Sequence, residues 1–262
     1  MSSQLLRFED WTSPVPAVRR EVLKALPDGS VDTPPVLFVP GLGHGAWAFA
    51  EHWLGHTASR GFGAHALTPR ADLSLRAYVH DVVQVAASLP RQAVLVGHGV
   101  GALVVSHAMA RYPARAAILA APVLGGWGTL GAALRANPLG TLPALFGAAP
   151  RLSRRQLFSA DLAEADGYRA RLVRGPADVY RKLLFAKPAG RPVGEPPILV
   201  VGSPEDRVVP RKALDRTAGR FGTAPLLFPG MAHDLMLDTN WREPIDAILD
   251  WLIKELATQA GG

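Results

Sequence analysis

The stretch Ala93-Val94-Leu95-Val96-Gly97-His98-Gly99-Val100-Gly101-Ala102 decides how this chain is read. Four apolar residues in a row predict a strand buried on both faces. They run straight into glycines at alternate positions, and the apolar run that follows predicts a helix to about residue 112. A strand that enters a helix through Gly-x-nucleophile-x-Gly makes a sharp elbow. Its central residue is held in a strained conformation that lifts the side chain above the sheet, while the flanking glycines let strand and helix pass closely. Gly97 and Gly101 fit the flanks. The centre calls for Ser, Cys or Asp, and it holds Gly99.

Outward from the elbow, strands are expected at 17–26, 36–39, 64–67, 116–121, 198–201 and 225–228, and helices at 47–59, 75–89, 210–220 and 241–256. Buried strands alternating with helices imply an α/β fold, a mainly parallel twisted sheet with helices on both faces. From about 124 to 190 the alternation stops in favour of a Leu-, Ala-, Pro- and Arg-rich segment with helical spacing, as at 178–185. The expected organisation is a core of 1–123 and 191–262, with 124–190 inserted as a helical cap.

Three further segments carry chemistry. Val36-Leu37-Phe38-Val39-Pro40-Gly41-Leu42-Gly43-His44-Gly45-Ala46-Trp47 is a strand followed by a Gly-rich loop. Ile198-Leu199-Val200-Val201-Gly202-Ser203-Pro204-Glu205-Asp206 ends a strand in acids, and Pro229-Gly230-Met231-Ala232-His233-Asp234 carries a histidine in a turn. With the elbow, these resemble the α/β-hydrolase superfamily in its serine esterase, lipase and lysophospholipase-like branch, from about Pro35 to Leu256. Elbow, acid and histidine also come in the chain order of that fold. The resemblance departs at two places: Pro40 stands where the oxyanion loop usually has His, and Gly99 where it has the nucleophile.

The resemblance implies a role for each residue. Asp206, rather than its neighbour Glu205, would orient His233, which would act as general base toward position 99. The backbone amides of Leu42 and Val100 would form the oxyanion hole, worth about 3–4 kcal/mol in comparable sites. Gly41, Gly43 and His44 would line the substrate side of that loop, with Trp127 reaching in from the cap. His98 is expected to point sideways, toward the core or the oxyanion loop. No cofactor or metal is required. The loop at 41–46 also fits a dinucleotide fingerprint, but the next strand ends at Leu67-Thr68-Pro69-Arg70 without the acid that reading needs.

Composition sets outer bounds. With no cysteine among 262 residues, disulfides, thiolate nucleophiles and thiolate metal sites are excluded. The first ten residues lack the apolar core of a secretory signal, so a cytoplasmic protein is expected. The uncharged stretch 116–134 is long enough to span a bilayer. Its Pro122 and four glycines instead predict a buried strand followed by a loop. Residues 150–191 hold ten basic and four acidic side chains, which accounts for the whole net charge of +6. No nucleic-acid-binding motif accompanies them. A basic cap would suit an acidic carrier protein or an anionic membrane surface.

A glycine at the elbow cannot form an acyl-enzyme, and three readings stay open. The chain can be an inactive or impaired form of a hydrolase that carries serine there, acting on a carboxylic ester or thioester with an apolar or aromatic group. Glycine can be native, with His233 and Asp206 performing acid–base chemistry without a covalent step, as in a lyase, isomerase or cyclase. Or the old pocket can bind a ligand without turnover.

Overall fold

Successive side chains of each strand serve opposite cores, as the two-residue repeat of a pleated strand requires. The computed structural model describes residues 20–29, 32–70, 74–125, 131, 134–135, 137–145, 151–173 and 189–260. Seven strands form one sheet: β1 (Val22–Ala25), β2 (Val36–Val39), β3 (Ala64–Leu67), β4 (Val94–His98), β5 (Ala116–Ala120), β6 (Ile198–Gly202) and β7 (Leu226–Leu227), in the order β1-β3-β2-β4-β5-β6-β7. Among the described residues, only the β1–β3 pair is antiparallel.

On one face, Val36, Phe38, Val94, Val96 and Ile118 pack against α1 (Trp47–Ala50), α2 (Trp53–Ser59) and α9 (Arg242–Ala260). On the other, Leu37, Val39, Leu95, Leu119 and Val200 pack against α3 (Leu75–Ser88), α4 (Val100–Met109) and α8 (Arg211–Arg220). Each large side chain buried this way contributes about 1.5–3 kcal/mol. Between β5 and β6 lie the short helices α5 (Pro138–Leu145), α6 (Arg154–Leu157) and α7 (Ala165–Ala170). Leu157, Phe158, Leu162, Ala165 and Tyr168 of this insertion belong to the first core, joined there by Met231, Leu235 and Met236. The helical pattern expected at 178–185 lies outside the described residues.

The helix expected at 47–59 is two helices. His52 leaves helical geometry (φ −139°), which lays its ring flat on Trp241 at 4.7 Å and sends Trp53 fully into the core. The uncharged stretch begins with β5, buried throughout, and no helix among the described residues is long and apolar enough to cross a membrane.

The sheet order places the site. After β2 the chain moves outward to β3, then returns across β2 to β4 and continues through β5 and β6. The reversal opens a crevice at the carboxyl ends of β2 and β4, where ligands of open parallel sheets bind. The Gly-rich loop and the elbow leave the sheet there.

Candidate active site

The elbow is built by backbone crowding. A Cβ on Gly101 would lie 2.1 Å from the Val39 carbonyl oxygen, and one on Gly97 would lie 2.5 Å from the Gly101 carbonyl oxygen. A side chain at Gly101 would push α4 away from β2, and one at Gly97 would push α4 away from β4. Gly99 itself sits at φ 55°, ψ −121°, held from both sides. Its amide donates to Ala120 O at 3.0 Å, and its carbonyl accepts from Val123 N at 2.9 Å and Ala102 N at 3.2 Å. The strained elbow geometry is thus fixed by its neighbours.

Asp206 follows β6 and is buried. Its Oδ1 accepts from the amides of Val208 (2.7 Å) and Val209 (3.0 Å), which aims Oδ2 at His233. His233 Nδ1 donates to that oxygen at 2.8 Å. A carboxylate only accepts, so the proton sits on Nδ1 and Nε2 carries a lone pair. That lone pair is directed at the elbow: a Cβ built on Gly99 would lie 3.3 Å from Nε2. Burial pushes the imidazole pKa down, but the charge and hydrogen bond of Asp206, with Asp234 beside it, outweigh that and hold it above the ordinary 6.5. Glu205, by contrast, is exposed. Its carboxylate accepts from the Gly230 amide and the Ser203 hydroxyl, both at 3.0 Å, and so fastens the histidine loop to the acid loop.

The Gly-rich loop passes over the start of α4. A Cβ on Gly41 would lie 3.5 Å from the Val100 amide nitrogen, and one on Gly99 would lie 3.8 Å from Gly41 Cα. Val100 opens its helix, so its amide has no intrahelical acceptor. Among the described residues, neither it nor the Leu42 amide donates to a backbone carbonyl. Gly43 takes φ 89°, and its carbonyl accepts from Val173 N of the insertion at 2.9 Å. Pro40, at the departure from the family pattern, has its carbonyl fastened by the buried Tyr78 hydroxyl at 2.7 Å.

Behind these loops lies a cluster built around Asp234, whose importance the sequence reading missed. His44 Nε2 donates to Asp234 Oδ2 at 2.9 Å, and His98 Nε2 donates to the carbonyl of His233 at 3.1 Å while lying 3.6 Å from Asp234 Oδ1. His98, whose ring is 4.8 Å from that of His233, is kept neutral: burial and the neighbouring His233 bring its pKa to about 3. Burial raises the Asp234 pKa, yet His44, His98 and His233 together take it below the ordinary carboxylate value. Asp234 therefore bonds the Gly-rich loop to the histidine loop, and His98 bonds the elbow strand to the same histidine loop through the His233 carbonyl. His44, expected to face substrate, spends its Nε2 on Asp234. The signal available in the sequence was an acid directly after the loop histidine and a histidine in a loop too apolar to leave it unpaired.

His44, His98 and Asp234 can bring one ligand atom each within 4.8 Å of one another, the set among the described residues able to hold a metal ion. The structure brings together Gly41, Leu42, Gly43, His44, His98, Gly99, Val100, Asp206 and His233. Trp127 lies outside the described residues.

The chain matches a family model described as the alpha/beta hydrolase family over residues 36–250. Among solved structures it is similar to monoacylglycerol lipase of Paleococcus ferrophilus (17% identity, TM-score 0.68), over 91% of this chain and 100% of that one. A soluble variant of monoglyceride lipase from Saccharomyces cerevisiae aligns at 13% identity and TM-score 0.69, over 93% and 97% of the two chains. A structure reported with carboxylesterases of the thaumarchaeon Nitrososphaera gargenis aligns at 15% identity and TM-score 0.68, over 91% and 96%. At these identities the likeness carries the fold alone. No curated protein matches the sequence significantly.

Proposed function

Because this chain belongs to the α/β-hydrolase family, we propose that its site is that of a carboxylic-ester or thioester hydrolase whose nucleophile position is held by glycine. The observation that carries this reading is the 3.3 Å between His233 Nε2 and the Cβ position of Gly99. One C–O bond beyond that carbon, a serine hydroxyl comes within the roughly 2.6–3.2 Å that general-base catalysis requires. Base, acid and oxyanion amides thus stand arranged around a nucleophile that Gly99 does not supply.

With serine at position 99, His233 Nε2 takes the hydroxyl proton as the oxygen attacks the substrate carbonyl. The oxyanion collects on the Leu42 and Val100 amides, and His233 returns the proton to the leaving group. Without it, the acyl-enzyme route is closed and the chain is impaired. What survives is binding and oxyanion stabilisation, which retain about 10³–10⁴-fold over water in related sites.

The substrate reading rests on the apolar side chains around the crevice. Leu42, Val100, Leu103, Val123 and Leu124 form a small cluster beside the oxyanion amides, which suits an acyl or aromatic group. We take residues 124–190 as the cap over this site. Its Val173 lies on the Gly-rich loop, while Arg171 sits 4.1 Å above the Trp47 ring and pairs with Glu51 at 2.5 Å. Arg151, Arg155, Arg169 and Arg191 are exposed, in keeping with an acyl group delivered by an acidic carrier protein or an anionic membrane surface. Such delivery weakens as salt rises.

The test is Gly99→Ser assayed with p-nitrophenyl esters of increasing acyl length. The expected result is a gain in kcat/KM on the order of 10³-fold or more over the glycine protein. A variant that melts cooperatively yet turns over no ester contradicts the reading.

A further inference from the structure

We infer that the glycine protein is itself an acyl transferase to small, neutral, protic nucleophiles, which occupy the notch between Gly99 and His233 and attack a bound ester directly, with no acyl-enzyme. The inference rests on the ester-hydrolase reading of the site and asks what the same geometry does when no side chain fills it.

The notch is defined by what surrounds the Cβ position of Gly99. His233 Nε2 lies 3.3 Å from it, Gly41 Cα 3.8 Å and His233 Cε1 3.9 Å. No side chain stands between Gly99 and His233 Nε2, so only the smallest protic molecules, such as water or hydroxylamine, can meet the histidine there. It does not close by collapse. Both peptide groups of Gly99 are tied to the end of β5 and the turn after it, through Ala120 and Val123. The flanks are fixed by the contact of Gly101 with Val39.

The protonation state selects the nucleophile. Asp206 holds the proton on His233 Nδ1, so Nε2 offers a lone pair and no proton. A molecule in the notch gains from His233 only if it brings an O–H or N–H to give. Azide, of similar size but without a proton, gains nothing from the base.

The step balances without an added oxidant or reductant. The lone pair of hydroxylamine nitrogen attacks the ester carbonyl carbon as its N–H proton passes to His233 Nε2. The carbonyl oxygen, now an oxyanion, lies on the Leu42 and Val100 amides. Collapse breaks the acyl–oxygen bond, and His233 returns the proton to the departing alkoxide. An ester and hydroxylamine thus give a hydroxamate and an alcohol; with water the products are a carboxylic acid and an alcohol.

The experiment uses the unaltered glycine protein with phenyl butyrate and increasing hydroxylamine, reading butyrohydroxamate by mass spectrometry. The expected result is hydroxamate formation on the order of 10²-fold above the enzyme-free rate, saturating with hydroxylamine. It should fall to the enzyme-free rate in His233→Ala, and azide should give no acceleration of phenol release. Gly99→Ala puts a methyl group into the notch and should suppress the reaction; if that strained variant fails to fold, His233→Ala still decides. Equal rates in the glycine protein and His233→Ala overturn the inference, as does acceleration by azide that matches hydroxylamine. Failure here with turnover restored in Gly99→Ser removes this inference alone. Hydroxamate formation with an inert, folded Gly99→Ser removes the serine-hydrolase reading instead.

Discussion

Asp234→Asn perturbs the cluster that joins the Gly-rich loop, the elbow strand and the histidine loop, and its effect can be worked from the contacts. The carboxylate is wholly buried, accepts from His44 Nε2 at 2.9 Å and lies 3.6 Å from His98 Nε2. The asparagine amide can turn its oxygen to His44 and keep that bond, but without the charge. A hydrogen bond to a charged group is worth about 1.5–3 kcal/mol and a neutral one about 0.5–1.5, so roughly 1 kcal/mol is lost there. The amide NH₂ then stands where Oδ1 was, 3.6 Å from a His98 Nε2 whose proton is already given to the His233 carbonyl, and a buried donor left unsatisfied costs about 1–3 kcal/mol. Relief from burying a charge offsets part of this, for a net loss of about 1–3 kcal/mol. In a domain of this size that lowers Tm by about 2–12 °C. The same change loosens the Gly-rich loop through His44, so in a Gly99→Ser background kcat should fall about tenfold or more with KM little changed. Thermal denaturation and steady-state kinetics read both effects. A double-mutant cycle with His44→Gln should give a coupling of about 1 kcal/mol. Unchanged Tm and kcat, or strictly additive single variants, refute the claim that this carboxylate holds the loops in register.

The base in Gly99→Ser must be neutral to act, and His233 is held above 6.5. Its kcat/KM should therefore rise with pH and reach half its plateau above pH 6.5; a midpoint below that value contradicts the role given to Asp206. Gly101→Ala forces a carbon to within 2.1 Å of the Val39 oxygen and should cost about 3 kcal/mol or more in denaturant unfolding. Gly55→Ala, inside α2 with no atom within 4 Å of the new carbon, should instead stabilise by about 0.5–1 kcal/mol. Asp246 is half-exposed and takes bonds from His56 and Arg60, both at 2.7 Å. Burial raises its pKa, but these partners outweigh that and depress it below 3.8. Its contribution, under about 1 kcal/mol, is present above pH 3.8 and lost as pH falls through the depressed value. Asp246→Asn should thus destabilise at pH 7 and match the unaltered protein in strong acid.

Much of this site was legible in the chain because its parts are backbone devices with short sequence signatures. Gly97 and Gly101 can be read without coordinates, since only glycine allows a strand and helix to touch. An unbroken apolar run such as 116–120 likewise announces a strand with both faces covered. What was not legible is long-range. No local rule pairs His44 with Asp234, 190 residues apart. Helical spacing through 47–59 hid the break at His52, because stacking on Trp241 is a tertiary contact that propensity does not register. The inserted segment read as helical, but nothing in its spacing announced that Leu157 and Phe158 would enter the main core. There Leu157 also takes a hydrogen bond from the Asp234 amide at 2.9 Å through its carbonyl, and the Ser159 hydroxyl donates to Asp238.

The central claim is that everything but the nucleophile is in place at position 99. Intact-mass measurement after treatment with a fluorophosphonate tests it most directly, because labelling needs the base and oxyanion amides to activate a serine but needs no knowledge of the substrate. The account predicts one phosphonyl adduct per chain in Gly99→Ser, located to the peptide containing position 99. It predicts none in the glycine protein and none when His233→Ala is added. A folded Gly99→Ser that stays unlabelled, or labelling that survives His233→Ala at the same rate, contradicts it.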